Sequence, residues 1–297
     1  MTGMRFEKWQ ALGNDYVIVE RDGLPFELTP ARVRKLCAEH VGVGADGVLL
    51  LARPHDPAAH VANLRIFNPD GSEAELSGNG AREAILYLRR RGWTDADTFV
   101  IQTIAGDIRP TITGKDTCTV DMGKANLTSK DFPGGPQDGQ GTVTSGGRLW
   151  AFRHVSIGNP QCAIHVESPQ ELRELDLQAI GPAIEASAQF PNRTNVSFFT
   201  ETPPTDEGPP TRIRARIFER GVGETLSSGT GASGAAVAHA LLFSPALRPS
   251  RVTVALDGGE LEVEVGEELR VKLTGWARPV FAGTLSEDFE KELHETE

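Results

Sequence analysis

The chain has 297 residues, 39% of them hydrophobic and 24% charged, enough for one large domain or two of ordinary size with sizeable cores. Its formal charge of -11 argues against a nucleic-acid surface, no apolar run of roughly 18 residues could span a bilayer, and Met1 to Phe6 lacks the apolar core of a secretory signal, so we expect no nucleic-acid or membrane partner and a cytoplasmic location. Cys37, Cys118 and Cys162 are too scattered for a zinc motif or a disulfide framework and read as small buried hydrophobes, and the histidines form no metal-ligand spacing, so no metal is expected.

In chain order, Phe6 to Trp9, a Gly13-Asn14-Asp15 turn and Tyr16 to Val19 predict a β-hairpin, with Asn14 a candidate polar contact. Pro30 to His40 predicts a helix capped by Thr29, followed by a loop from Gly42 to Gly47 and the strand Val48 to Leu51. Val61 to Phe67 alternates as a half-buried strand before the turn Asn68-Pro69-Asp70-Gly71. A helix beginning near Ala81 is apolar on most sides, and Arg89-Arg90-Arg91 complements the negative end of its dipole. Strands are predicted at Phe99 to Thr103, Ile108 to Ile112 and Cys118 to Met122. Pro133 to Gly147 reads as an exposed glycine-rich loop, and Leu149 to Val155 as a strand leading to Gly158-Asn159-Pro160 and another strand through His165. A short helix fits Ile180 to Gln189, then a turn from Phe190 to Val196. Pro203 to Pro210 reads as an exposed excursion. Arg212 to Phe218 alternates strictly, Ala232 to Leu242 predicts a helix of small and apolar residues, and Val252 to Leu256 with Leu261 to Val265 predicts a hairpin. The residues from Glu287 read as a frayed helix or tail.

Two stretches are alike. Ser72-Glu73-Ala74-Glu75-Leu76-Ser77-Gly78-Asn79-Gly80-Ala81-Arg82 and Gly223-Glu224-Thr225-Leu226-Ser227-Ser228-Gly229-Thr230-Gly231-Ala232-Ser233 each bring an acidic approach and Ser-Gly-X-Gly-Ala to the start of a helix. Repetition half a chain apart suggests two similar halves. Neither stretch is a nucleotide motif, since the third glycine of the dinucleotide fingerprint and the Gly-Lys-Ser/Thr of a phosphate loop are absent. The first N–H groups of each helix and its positive dipole end favour an anion, so two such ends facing one cleft could hold a carboxylate from both sides.

The ordered set Gly13-Asn14-Asp15, Asn68-Pro69-Asp70-Gly71-Ser72-Glu73, Ser77-Gly78-Asn79-Gly80-Ala81-Arg82, Gly158-Asn159-Pro160, Thr194-Asn195-Val196 and Glu219-Arg220-Gly221-Val222-Gly223-Glu224-Thr225 resembles the diaminopimelate epimerase family across nearly the whole chain. The resemblance implies an α/β fold of the α+β type, with two pseudo-symmetric lobes, each a mainly antiparallel β-barrel around a central helix. It places the lobes at residues 1–121 with 276–297 and at 122–275, with substrate in the cleft between them. It implies interconversion of LL- and meso-diaminopimelate, a precursor of lysine and peptidoglycan, by two-base α-proton transfer without pyridoxal phosphate, metal or other cofactor, and a homodimer. The substrate-binding positions it carries over are Asn14, Asn68, Asn159, Asn195, Glu219 and Arg220, with backbone N–H groups of Gly78, Asn79, Gly229 and Thr230 cradling the α-carboxylate. Such a set suits a diamino dicarboxylic acid or a related amino acid, whose charges need paired partners.

The catalytic positions depart from the family pattern. A cysteine stands there before each Gly-X-Gly; here the residues are Ser77 and Ser228, and Gln161 replaces the histidine that follows Gly-Asn-Pro. A cysteine at a helix N-terminus titrates near neutrality, whereas a serine hydroxyl needs an adjacent base. The sequence displays none at either serine, with Glu75 and Glu224 only nearby in the chain. Cys162, next to Gln161, reads as a buried strand residue. Three readings stay open: an epimerase using Ser77, Ser228, Gln161 and Glu219 as its catalytic groups, an amino-acid-binding relative without turnover, and a different isomerase or dehydratase in which Glu75 or Glu224 is the base.

Overall fold

The computed structural model describes residues 3–202, 211–243 and 249–296, and the chain divides into two units, Met1–Val120 with Gly275–Glu297, and Asp121–Thr274. The first unit opens with a hairpin of β1 (Arg5–Ala11) and β2 (Asn14–Glu20). Its turn is Leu12 and Gly13, at φ of 55° and 83°, the left-handed pair that a two-residue hairpin favours. Asn14 and Asp15, expected in the turn, instead open β2 and pair with Ala11 and Gln10. α1 (Pro30–Cys37) begins as expected, with Thr29 Oγ1 accepting from the Arg32 N–H at 3.3 Å, but stops short of His40. The carbonyls of Leu36 and Cys37 turn to the N–H groups of Val43, Gly44 and Ala45, which ends the helix.

β3 (Val48–Ala52), β4 (Ala62–Phe67) and the short β5 (Glu73–Ala74) lead into α2 (Gly78–Arg90), followed by β6 (Ile101–Thr103), β7 (Gly106–Ile108), β8 (Pro110–Gly114) and β9 (Thr117–Lys124). The strand expected over Ile108 to Ile112 is broken at Arg109, between β7 and β8, and Pro110, which has no N–H to give, opens β8 opposite Val120. α2 is buried from Asn79 through Leu88, and Arg89 and Arg90 lie in its last turn. Ile85, Leu86 and Leu88 are all buried, each contributing about 2 kcal/mol of transfer free energy.

The second unit contains β10 (Gln140–Ser145), β11 (Arg148–Ser156), β12 (Pro160–His165), α3 (Pro169–Glu174), α4 (Leu177–Glu185), β13 (Asn195–Glu201), β14 (Thr211–Glu219), β15 (Gly223–Thr225), α5 (Gly229–Phe243), β16 (Ser250–Leu256), β17 (Gly259–Val265) and β18 (Arg270–Trp276). β19 (Arg278–Thr284) and α6 (Glu287–Glu295) close the chain. The glycine-rich segment expected to be loop contains β10, which pairs with β11 and buries Val143 and Ser145. The helix expected from Ile180 to Gln189 lies earlier because Asp176 Oδ1 accepts from the Ala179 N–H and fixes its start. The residues from Glu287 form a capped helix, with Ser286 accepting from the Phe289 N–H and Leu293 fully buried. The excursion at 203–210 lies outside the described residues.

The first unit's sheet runs β19-β1-β2-β3-β4-β6-β7 with β5 on β4; β2–β3 and β4–β6 are parallel pairs. The second unit's strands run β10-β11-β12-β13-β14-β16-β17-β18 with β15 on β14, and β12–β13 and β14–β16 are parallel. Both are mainly antiparallel mixed sheets, and among the described residues no strand pairing closes either of them into a barrel. α2 packs against β1, β2 and β3, and α5 against β11 to β14, β16 and β17. Gly80 and Gly231 bring the two helix starts onto the strands: a Cβ would meet Leu49 at 3.0 Å in the first case and Ile217 at 2.7 Å in the second.

Candidate functional site

Each unit carries one copy of the serine-glycine turn. In the first, Ser77 is the N-cap of α2, with extended backbone (φ -126°) and Oγ accepting from the Gly80 N–H at 3.1 Å. The phenolic hydroxyl of Tyr16, on β2, donates to the same Oγ at 3.1 Å. The N–H groups of Gly78 and Asn79 lie in the first turn of α2, where no intrahelical acceptor exists.

A chain of side chains holds this turn. Lys8 Nζ lies 3.0 Å from Asp15, the backbone N–H groups of Asp15 and Asp46 each donate to the other's carboxylate at 3.0 Å, and Asp46 Oδ2 accepts from Asn14 Nδ2 at 2.7 Å. Asn79 Nδ2 donates to Asn14 Oδ1 at 3.2 Å, and the fully buried Arg82 donates to Asn79 Oδ1 at 2.6 Å and to the Gly78 carbonyl at 2.9 Å. Burial lowers the Arg82 pKa to about 10, which still leaves a cation at neutral pH. Burial drives the carboxyl of Glu83, also fully buried, well above the ordinary carboxylate range despite the pull of Arg82. Asn68 is placed by its own turn, with Nδ2 donating to Ser72 Oγ at 2.9 Å. Glu75 is exposed.

In the second unit, Ser228 precedes α5 and its Oγ accepts from the Gly231 N–H at 3.2 Å, repeating the first cap. The adjacent carboxylate is Glu219, at the end of β14, which accepts from Thr225 Oγ1 at 2.9 Å and whose charged form the nearby Ser228 hydroxyl helps to hold. Burial raises the Glu219 pKa above its ordinary value, and the two hydroxyl contacts oppose that shift. Glu224, nearer in sequence, is held elsewhere: Arg216 Nε donates to it at 2.8 Å while the same guanidinium reaches the carbonyls of Leu172 and Leu175. Of these two carboxylates, Glu219 and not Glu224 is the one that the Ser228 hydroxyl affects.

The remaining expected residues of the second unit fall into two hydrogen-bonded groups on neighbouring strands. Gln161 is fully buried on β12, gives Nε2 to Asn159 Oδ1 at 2.7 Å and packs under Gly234 of α5. Asn159 Nδ2 donates to Thr230 Oγ1 at 3.2 Å. Asn195 lies beside Gln161 in the parallel register of β12 and β13 and accepts the Arg220 N–H at 2.8 Å. Arg220 Nη1 donates to the Asn192 carbonyl at 2.9 Å, and Gly221 N–H donates to the buried Glu185 at 3.1 Å. Tyr16, Asp46, Arg82, Thr225 and Glu185 were not singled out from the sequence. Arg82 and Thr225 stood inside the quoted motifs and Asp46 in the Gly44-Ala45-Asp46-Gly47 loop, whereas nothing in the sequence marked Tyr16 or Glu185.

All three cysteines are buried. Burial pushes Cys37 and Cys118 up to about 12 and Cys162 well above its ordinary value, so none is poised as a thiolate. No grouping of three or more metal-binding side chains occurs among the described residues, and no helix among them is long and apolar enough to cross a membrane.

Solved structures share this fold. A phenazine biosynthesis protein of the PhzF family from Bacillus anthracis superposes with a TM-score of 0.68 at 16% identity, covering 96% of this chain and 100% of that one. A hydroxyproline epimerase from Agrobacterium vitis gives 0.66 at 16% identity, covering 97% and 94%. Sequence relatives are nearer. A diaminopimelate epimerase of Synechococcus sp. (strain JA-3-3Ab) is 39% identical over 292 residues, 96% of this chain and 99% of that protein. One of Desulfitobacterium hafniense is 40% identical over 296 residues, again 96% and 99%. The diaminopimelate epimerase family profile matches residues 6–128 and 153–278. With serine-glycine turns, asparagines and a Glu-Arg pair in one order along that length, the chain belongs to the diaminopimelate epimerase family of isomerases.

Proposed function

We propose that this protein interconverts LL- and meso-diaminopimelate by moving the α-proton from one face of the carbon to the other, with Ser77 and Ser228 at the two faces. The observation that carries the reading is the repeated cap, in which Ser77 Oγ and Ser228 Oγ each accept from the N–H three residues on at the start of a buried helix. The Ser228 hydroxyl is near enough to Glu219 to favour that carboxylate's charged form, which a weakly acidic hydroxyl needs in a base. Glu219 takes the proton as Ser228 accepts one from the α-carbon. Gln161 acts through Asn159 to set the start of α5. The first-turn N–H groups of Gly78, Asn79, Gly229 and Thr230 bind the α-carboxylate and stabilise the charge that develops beside it. Asn14, Asn68, Asn159, Asn195 and Arg220 bind the amino groups and the distal carboxylate, where a guanidinium offers two parallel donors.

Purified protein incubated with LL-diaminopimelate in deuterated water tests the reading. Loss of the α-proton NMR signal with appearance of the meso isomer is expected. Binding without exchange would instead make the chain an amino-acid-binding relative, and no binding would favour a different isomerase or dehydratase. We also propose a homodimer through the edge strand β19, whose Val280 and Phe281 are 54% and 46% exposed; a monomer in sedimentation equilibrium would refute it.

A further inference from the structure

Asn195 opens β13 just after one turn of the second unit and Arg220 begins another, and one buried side chain holds both turns. It is Glu185, the last residue of α4, 1% exposed. Its Oε1 accepts the Gly221 N–H at 3.1 Å, next to Arg220, while its Oε2 pairs with Arg193 Nη2 on the turn before β13. Its main-chain carbonyl accepts the Thr194 N–H at 3.0 Å, one residue before Asn195. The two turns also meet directly, since Asn195 Oδ1 accepts the Arg220 N–H at 2.8 Å and the Asn192 carbonyl accepts Arg220 Nη1 at 2.9 Å. Arg193 holds a left-handed φ of 61°, uncommon outside glycine, so its turn relies on such partners to keep its shape. Stability alone does not account for a carboxylate at this place. The last turn of a helix is the negative end of its dipole, and replacing a buried ion pair by apolar side chains is often neutral or stabilising.

We propose that Glu185 is a positioning residue that fixes the guanidinium of Arg220 and so makes the second unit selective for an amino acid whose far end carries a carboxylate. This rests on the assignment of Arg220 to the distal carboxylate. With Nη1 turned to Asn192, Nε and Nη2 of Arg220 are without partners among the described residues, and they form the parallel edge that meets both oxygens of a carboxylate. Arg65 shows that edge in use in the first unit, giving Nε and Nη2 to the two oxygens of Glu73, each at 2.8 Å. Arg220 is exposed, so an untethered side chain would sample many rotamers and lose that freedom on binding. Holding it beforehand removes this cost. Glu185 does so at one remove. Through Arg193 it sets the turn whose Asn192 carbonyl takes Nη1, and through Gly221 it sets the main chain from which the Arg220 side chain departs.

L-Lysine is LL-diaminopimelate with a hydrogen in place of one carboxylate, so the ratio of the two affinities isolates the distal contact. Calorimetric titration of the intact chain with each ligand gives that ratio. In Glu185→Gln the amide keeps an oxygen for the Gly221 N–H but turns donors toward Arg193. The preference for diaminopimelate over lysine should fall by about 10-fold or more, the worth of hydrogen bonds to a charged group, while lysine affinity changes little. Arg193→Asn cuts the same link from an exposed position where asparagine tolerates the left-handed backbone, so it tests the proposal even if Glu185→Gln does not fold, and should lower the ratio likewise. A residue that only holds the fold would weaken both ligands together or neither, and a ratio equal to the parent's would overturn the proposal. Adding Glu185→Gln to Arg220→Lys should move the ratio no further, because both act on one contact, and additive losses would overturn it too. A parent that binds the two ligands equally would remove the distal-carboxylate assignment and this proposal with it, a result distinct from a preference that survives in both variants.

Discussion

Glu219→Gln separates chemistry from folding more sharply than any other single change. Glutamine keeps the shape and an oxygen for the 2.9 Å bond from Thr225, but it has no charge with which to draw the Ser228 proton. Removing a general base costs roughly 10²- to 10⁴-fold in rate, or about 3 to 5.5 kcal/mol of transition-state stabilisation. The fold should not suffer. Burial raises the Glu219 pKa above its ordinary 4.5, so the folded state favours the neutral form. Its ionisation therefore opposes folding increasingly as pH rises from 4.5 through the folded pKa, and a neutral amide should leave stability at pH 7 unchanged or slightly higher. The assay is the pH dependence of α-proton exchange beside a urea melt. The parent should lose exchange as acid protonates Glu219, with a midpoint above 4.5, and the variant should show a low rate without that limb. A variant exchanging at the parent rate with the same acid limb would mean that Glu219 is not the base.

Three further outcomes follow from the geometry. Arg220→Lys should weaken diaminopimelate binding in calorimetric titration, because a lysine cannot hold the Asn192 carbonyl at 2.9 Å and offer a planar pair of donors to the distal carboxylate; unchanged affinity would remove Arg220 from the binding set. Ser77→Cys with Ser228→Cys should raise inversion well beyond either single change, since two groups acting on one carbon are not additive, while each lost oxygen cap costs about 1 kcal/mol in a melt. A double variant that binds substrate without gaining inversion would mean that the site has diverged beyond those two atoms. His154, fully buried against Ser129 Oγ at 2.9 Å, is lowered from 6.5 to about 4 by burial, so it contributes stability that is intact above pH 6.5 and lost as pH falls toward 4. That loss is on the order of 3 kcal/mol, and a urea midpoint that does not fall between pH 7 and pH 4 would contradict it.

What the sequence made legible was local. Ser-Gly-X-Gly-Ala before an apolar run predicts a capped helix start because the cap, the close-packed glycine and the buried stripe are all neighbours in the chain. The partners of those serines are not neighbours. Tyr16 reaches Ser77 from a strand 61 positions earlier, and its place in the continuous buried run of β2 reads the same whether its hydroxyl meets a serine oxygen or a core carbonyl. Glu224 was the carboxylate closer to Ser228 in sequence, yet β15 folds back on β14, pairing Glu224 with Phe218 in the ladder and giving its side chain to Arg216. β10 was missed because glycine and threonine without a strong apolar period look like a loop until β11 is present to pair with them. β19 was missed because it is an edge strand whose residues are mostly exposed, leaving little alternation to detect.

Exchanging two thiols for two hydroxyls changes where titration must occur. A thiol at a helix start can lose and regain a proton near neutrality by itself, whereas a serine there can only pass protons between groups that titrate. For Ser228 the titrating group is the Glu219 carboxyl, and burial raises its pKa above its ordinary value, so it holds a proton more readily than an exposed carboxylate would. That makes a more polar surrounding for Glu219 a handicap: any substitution that returns its pKa toward 4.5 should slow inversion even with Ser77 and Ser228 untouched.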